Sequence, residues 1–357
     1  MTGQIMAWQQ MATYFPNITK LNRQHQQTIK VKQDLTAPRL RLLLVNNFSS
    51  IPLVITSLTV TVSGLTRRVK VRQQASFSVS AYEKLWTDWI DLPVQAGAWV
   101  TISLNSPTES PQTLMQTLDQ SIVRLASLKQ ERWFGVAAIA VPATSQQRQL
   151  LIFGDSLTNQ GYYSAALTTL FWQQQPQCWG VINGGISGNR LLRPGHSTSV
   201  WSPSFGAAGK QRLTELLRTT PVDELIVMAG LNDLLHPGTG SPLTELPTAD
   251  QLIAGLKQVI KLAAQAKAKL WLLTITPFKN SILDDRPAWC PAKEAIRLQV
   301  NQWLREQSET IDVASLVADP ADSGKLASNY DCGDHIHFSP VGGRLVAQAV
   351  FNHCYPQ

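Results

Sequence analysis

From residue 39 to about residue 107 the apolar positions fall in short, β-branched runs, at 39–45, 52–62, 69–71 and 99–104. Turn residues such as Asn46-Asn47 and Ser63-Gly64 separate them, and no stripe at helical spacing interrupts them. This pattern predicts the antiparallel strands of a β-sandwich. Residues 112–128 fit either a helix or an irregular connection, and 133–141 reads as a last strand before Pro142.

Beyond the polar stretch 144–148 the period changes. A buried run, Leu150-Leu151-Ile152-Phe153, opens an alternation of strand, loop and helix, with further strands expected at 179–182, 224–229 and 269–275. Leu252, Ile253, Leu256, Val259, Ile260 and Ala263 recur at helical spacing and predict a core-facing helix. Two more helices are expected, over 292–307 and from Pro340 through 344–351. Such alternation predicts an α/β fold, a parallel sheet with helices on both faces. Two domains follow, at 1–145 and 146–357, and a length of 357 residues suits two.

Composition narrows the partners. With 44% apolar and 15% charged residues the chain can bury a sizeable core without staples. Residues 1–20 lack a basic start followed by an unbroken apolar run, so no secretory signal is expected and a cytoplasmic location is the default. The most apolar stretch, 133–143, is much shorter than the roughly 20 residues of a membrane-spanning helix. Cys178, Cys290, Cys332 and Cys354 match no zinc spacing and read as reduced thiols. The net charge of +7 is dispersed. Its densest group, Arg67, Arg68, Lys70 and Arg72, alternates with Val69 and Val71 as the wet face of a strand does, so no nucleic-acid partner is expected.

In open parallel sheets, ligands sit beyond the carboxyl ends of the strands. Four loops expected there carry unusual residues. Gly154-Asp155-Ser156-Leu157-Thr158 follows the first strand and puts Ser156 near a helix start, where it could serve simply as an N-cap. Residues 183–190 contain three glycines that let backbone N–H groups approach a ligand, and Gly230-Leu231-Asn232-Asp233 offers a side-chain amide. Asp334-His335-Ile336-His337 puts a carboxylate three residues before an imidazole, close enough to hold Nδ1 of His337 and fix its tautomer. Each segment alone suits an ordinary turn. Together they supply a nucleophile, a base, an acid that orients the base, and oxyanion donors.

In order and spacing these blocks resemble the SGNH (GDSL-like) hydrolase family, matched at 154–158, 185–189, 230–233 and 334–337 over about residues 148–351. The resemblance implies a flavodoxin-like three-layer α/β/α domain and a serine esterase acting on acyl or acetyl esters, acetylated carbohydrates among them. Ser156, Asp334 and His337 would form the triad, and the N–H groups of Ser156 and Gly188 with the side chain of Asn232 the oxyanion hole. No metal or organic cofactor is implied. The first half is similar to the jelly-roll-like β-sandwich that precedes some bacterial members. One departure stands out: many members have a Gly before a Leu-His-Pro run, where this chain has His335, Ile336, His337 and Phe338. The missing Gly-x-Ser-x-Gly elbow argues against the α/β-hydrolase fold. Two alternatives remain at this point. His335 and His337, with Cys332 or Asp334, could hold a metal in a water-activating hydrolase. Tryptophans such as Trp172, Trp179, Trp201 and Trp289 could line a non-catalytic carbohydrate-binding surface.

Overall fold

The computed structural model describes residues 3–19, 21–126 and 130–356. The chain forms two compact units, Met1–Gln149 with Phe171–Asn183, and Leu150–Leu170 with Gly184–Gln357.

In the first unit, strand Trp99–Asn105 pairs antiparallel with Gln26–Lys32 and Ser57–Val62, and Val123–Leu125 and Leu65–Arg68 complete a five-stranded sheet. Burial alternates along these strands, which puts Ile29, Val31, Leu58, Val60, Val100 and Ile102 inside. A second layer is built on Arg132–Pro142, antiparallel to Gln4–Gln10, Arg41–Val45 and Thr113–Gln116. Residues 133–141 of this strand are buried without alternation, so both of its faces are covered. The layers meet where the Gln27 amide spans to the main chain of Phe134, accepting from its N–H at 3.0 Å and donating to its carbonyl at 2.9 Å.

Local structure departs from the sequence expectation in two places and adds one strand that the sequence reading did not name. Residues 112–128 form neither a helix nor a plain connection but contain two strands, Thr113–Gln116 and Val123–Leu125; Ser127 and Leu128 lie outside the described residues. Strands of three or four residues are too short to display a period. The basic group does not lie on one continuous strand, which ends at Arg68, although Val69 and Val71 point inward and its four cations outward. Finally, Gln4–Gln10 is a strand paired on both sides, antiparallel to Arg132–Pro142 and parallel to Trp179–Gly185.

The second unit has the expected parallel sheet. Strands Arg148–Gly154, Glu224–Met228, Lys269–Leu273 and Thr310–Ile311 pair in parallel, with Ile152 opposite Ile226 and Ile226 opposite Trp271. Helix Ala249–Ala266 starts at a capping box, Thr248 accepting from the Gln251 N–H while the Gln251 side chain accepts from the Thr248 N–H. It buries Leu252, Leu256, Val259 and Ala263 and ends at a left-handed Lys267. Helix Pro340–Cys354 is capped by Ser339, with proline in its first turn. The fold class is therefore α/β, preceded by antiparallel sheets. Among the described residues no helix is long and apolar enough to cross a membrane, and all four cysteines are unpaired.

Candidate active site

Strand Arg148–Gly154 leads straight into the one-turn helix Ser156–Asn159. A Cβ on Gly154 would sit under 3 Å from the Met228 carbonyl and the Thr158 hydroxyl, so only glycine fits this crowded turn. Asp155 caps the helix by accepting from the Leu157 N–H at 3.0 Å. Here the sequence's bland option, Ser156 as cap, does not hold: Asp155 is the cap, and the Ser156 hydroxyl points elsewhere. Its Oγ lies 2.7 Å from Nε2 of His337.

His337 and Asp334 share one tight turn. Nδ1 of the ring lies 2.5 Å from Oδ2 of Asp334, while Oδ1 accepts from the N–H groups of Ile336 and His337 at 2.9 and 2.8 Å. Burial alone would raise the Asp334 pKa, but the bonds and charge of His337 with the two amides outweigh it and hold the carboxyl well below the usual carboxylate range. An ionised Asp334 keeps the proton on Nδ1, which leaves the Nε2 lone pair facing the serine hydroxyl.

The departure at position 335 has a structural answer. His335 adopts a left-handed φ of 63° at the place where many family members carry glycine. For an ordinary residue that conformation costs roughly 1–2 kcal/mol. Asp331 offsets it: Oδ1 accepts from the His335 N–H at 3.0 Å, and Oδ2 lies 2.7 Å from its Nδ1. His335 is thus held on Asp331, whereas His337 lies against the Ser156 hydroxyl.

Two further loops reach the same edge of the sheet. Gly188, at φ 73°, sits against Phe205, whose ring occupies the space a Cβ would need. Asn232 is buried in the short helix Leu231–Leu235 after strand Glu224–Met228 and donates through Nδ2 to the Asn189 carbonyl at 3.2 Å. That bond uses one of its two amide protons. Among the described residues the main-chain N–H groups of Ser156 and Gly188 have no hydrogen-bond partner. Free amides at such a turn are what a developing oxyanion needs. Behind them, Asp233 accepts from the Leu191 and Leu192 N–H groups at 2.6 and 3.0 Å and ties the following loop down.

Donor atoms of Cys332, Asp334 and His337 lie within 4.8 Å of one another. Both ring nitrogens of His337 are already engaged, however, and His335 is turned to Asp331. A metal there would have to break the serine–histidine–aspartate relay, so these residues do not fit the metal-hydrolase alternative. The four tryptophans of the other alternative divide: Trp201 is exposed, whereas the other three are engaged within the fold. Trp172 and Trp179 are buried, with indole N–H groups bonded to the Trp179 carbonyl and the Gln175 side chain, and Trp289 donates to Glu294.

Burial also perturbs two carboxyls in this region. It pushes Asp155 and Asp233 up to about 6, against the backbone N–H bonds that favour their ionised forms. For Asp155, whose unperturbed value is 3.8, the folded protein holds more protons than the unfolded chain between pH 4 and 6. Its contribution to stability is therefore present at low pH and lost as the pH rises through 6. Asp155→Asn keeps the cap acceptor without the charge. The expected result is a gain in melting temperature relative to the parent that grows from pH 4 to pH 6 and then levels off; a difference independent of pH would refute the burial argument.

Sequence reasoning missed Arg212 and the Phe205–His236 pair. The two rings lie 4.9 Å apart, and burial, with the nearby cations of Arg190 and Lys293, lowers His236 to about 4, so it is neutral at neutral pH. Arg212 could have been noticed. It lies in register with the buried Gly209, Leu213 and Leu216 of helix Gly209–Thr219, an odd place for a cation.

Solved structures with similar folds include the acetyl xylan esterase AlAXEase (18% identity, 57% of this chain and 98% of that chain covered, TM-score 0.41). They also include Est24, a carbohydrate acetylesterase from Sinorhizobium meliloti (15%, 58% and 98%, TM-score 0.42), and TesA (20%, 58% and 99%, TM-score 0.42). No curated protein matches. A family model matches residues 152–345, more than half of the chain and the span that holds Ser156, Gly188, Asn232, Asp334 and His337. The chain belongs to the GDSL-like lipase/acylhydrolase family.

Proposed function

We propose that this chain, an ester hydrolase by family, is a serine esterase in which Ser156, His337 and Asp334 form the catalytic triad. The observation that carries the reading is the unbroken relay from Ser156 Oγ to His337 Nε2 at 2.7 Å and from His337 Nδ1 to Asp334 at 2.5 Å. In the first step Nε2 takes the hydroxyl proton as Oγ bonds to the ester carbonyl carbon, and Asp334 stabilises the imidazolium. The N–H groups of Ser156 and Gly188 and the Asn232 amide receive the negative oxygen. Collapse of this intermediate breaks the bond to the alcohol, which leaves with the proton from His337. Water, deprotonated by the same nitrogen, then attacks the acyl-enzyme and releases the acid and free Ser156.

The substrates we infer are carboxylic esters with short acyl groups, acetylated carbohydrates among them. Phe205 supports a short acyl group, because its half-buried ring stands directly beside Gly188. A fluorophosphonate probe is expected to label Ser156 and no other residue, as read by peptide mass spectrometry. In parallel, kcat/KM on synthetic esters from acetate to octanoate, and on acetylated sugars, is expected to be highest for the shortest acyl groups. Absence of labelling would overturn the serine reading; a maximum at long chains would overturn the substrate class alone.

A further inference from the structure

We propose that Arg212 is the positioning residue that fixes the three oxyanion donors relative to one another. The inference rests on the triad reading above and adds to it a residue outside the family blocks.

One guanidinium is bonded to the two loops that carry Ser156 and Gly188, and it bears on the third donor, Asn232, through Asn189. Nη2 donates at 3.1 Å to the carbonyl of Gly154, two residues before Ser156, and Nη1 donates at 3.0 Å to the carbonyl of Gly184. Nε and Nη2 both donate to the side-chain oxygen of Asn189, at 3.1 and 2.9 Å. Asn189 immediately follows Gly188, and its carbonyl is the acceptor that orients Asn232. Its own amide is pinned from the other side by donating to the carbonyls of Phe205 and Ala207, each at 2.7 Å. The guanidinium also lies over the Phe153 ring, 4.6 Å from its centroid, which limits tilting.

A planar fork with donors in fixed directions can set both loops at once; a lysine ammonium, a single point with rotatable hydrogens, cannot. Arg212 bonds to loop carbonyls and the Asn189 amide, so its effect on the reaction passes through the positions of Ser156, Gly188 and Asn232. A misplacement of about 1 Å at such donors is worth on the order of a hundredfold in rate.

The test compares Arg212→Lys with the parent by kcat, KM and the affinity for phenylboronic acid, which adds to Ser156 and places a tetrahedral oxygen in the hole. The expected result is a loss in kcat of about 10- to 100-fold. KM is expected to stay within about threefold, and boronate affinity to fall in step with kcat. A purely structural pillar would lower the melting temperature and leave both readouts of the folded enzyme unchanged. That outcome, or an effect on KM alone, overturns the proposal. Should Arg212→Lys not fold, Asn189→Ala removes the shared acceptor and carries the same expectation, and an unchanged kcat there overturns it too. The two failures are distinguishable: without labelling of Ser156 in the parent the triad reading falls, whereas labelling with an unaffected Arg212→Lys sinks this inference alone.

Discussion

Ser156→Ala is expected to lower kcat on a simple ester by at least about 10,000-fold, with KM little changed. The substitution deletes one oxygen, 2.7 Å from His337 Nε2, and with it the atom that forms the acyl-enzyme in the proposed mechanism. What survives is binding and the oxyanion donors, which alone account for a small residual rate over water. The fold is expected to tolerate the change, because Asp155, not Ser156, caps the turn. Steady-state kinetics on the purified variant, beside its melting temperature, decides the matter. A folded variant with undiminished turnover would falsify the assignment.

Asp334→Asn is expected to cost about 1,000- to 10,000-fold in kcat at neutral pH. The amide preserves size and can still accept from the Ile336 and His337 N–H groups through Oδ1. At the other position it offers an N–H to Nδ1 of His337, where the carboxylate accepts one. The ring then carries its proton on Nε2 and cannot take the one from Ser156. A second readout follows from the depressed pKa of Asp334, whose unperturbed value is 3.8. A carboxyl held low in the fold stabilises it above the unfolded pKa and ceases to do so as the pH falls through the folded one. The melting temperature of the variant is thus expected to lie below that of the parent at pH 7, and the gap to narrow below pH 4. A variant with parental turnover, or a gap that widens in acid, would contradict the argument.

The contrast between Ser156 and Asn232 on one side and Arg212 on the other explains what could be read early. The four motif loops are local: the Asp334–His337 pair needs only three residues of spacing, and Gly154 beside Ser156 announces its own turn. The parallel strands of the second unit were legible for a related reason, since strands buried on both faces are continuous apolar runs. Arg212 showed only its odd register in a buried helix face, and its role stayed hidden because its partners Gly154, Gly184 and Asn189 lie 58, 28 and 23 residues away. Gln4–Gln10, rich in glutamine, does not read as a central strand. It becomes one by pairing with Arg132–Pro142 and Trp179–Gly185, and the burial of Trp179 belongs to the same packing.

His335 shows the boundary most sharply. In the sequence it read as a departure from the family run and as a possible metal ligand; that Asp331 would hold His335 in a left-handed turn appears only in three dimensions. The sequence by itself determined the inventory of chemistry and the order of its parts, because hydrogen bonds inside one turn depend on spacing along the chain. Tertiary structure decided which side chains converge and which are diverted, because contacts between distant segments form only when sheets and helices bury their apolar faces together.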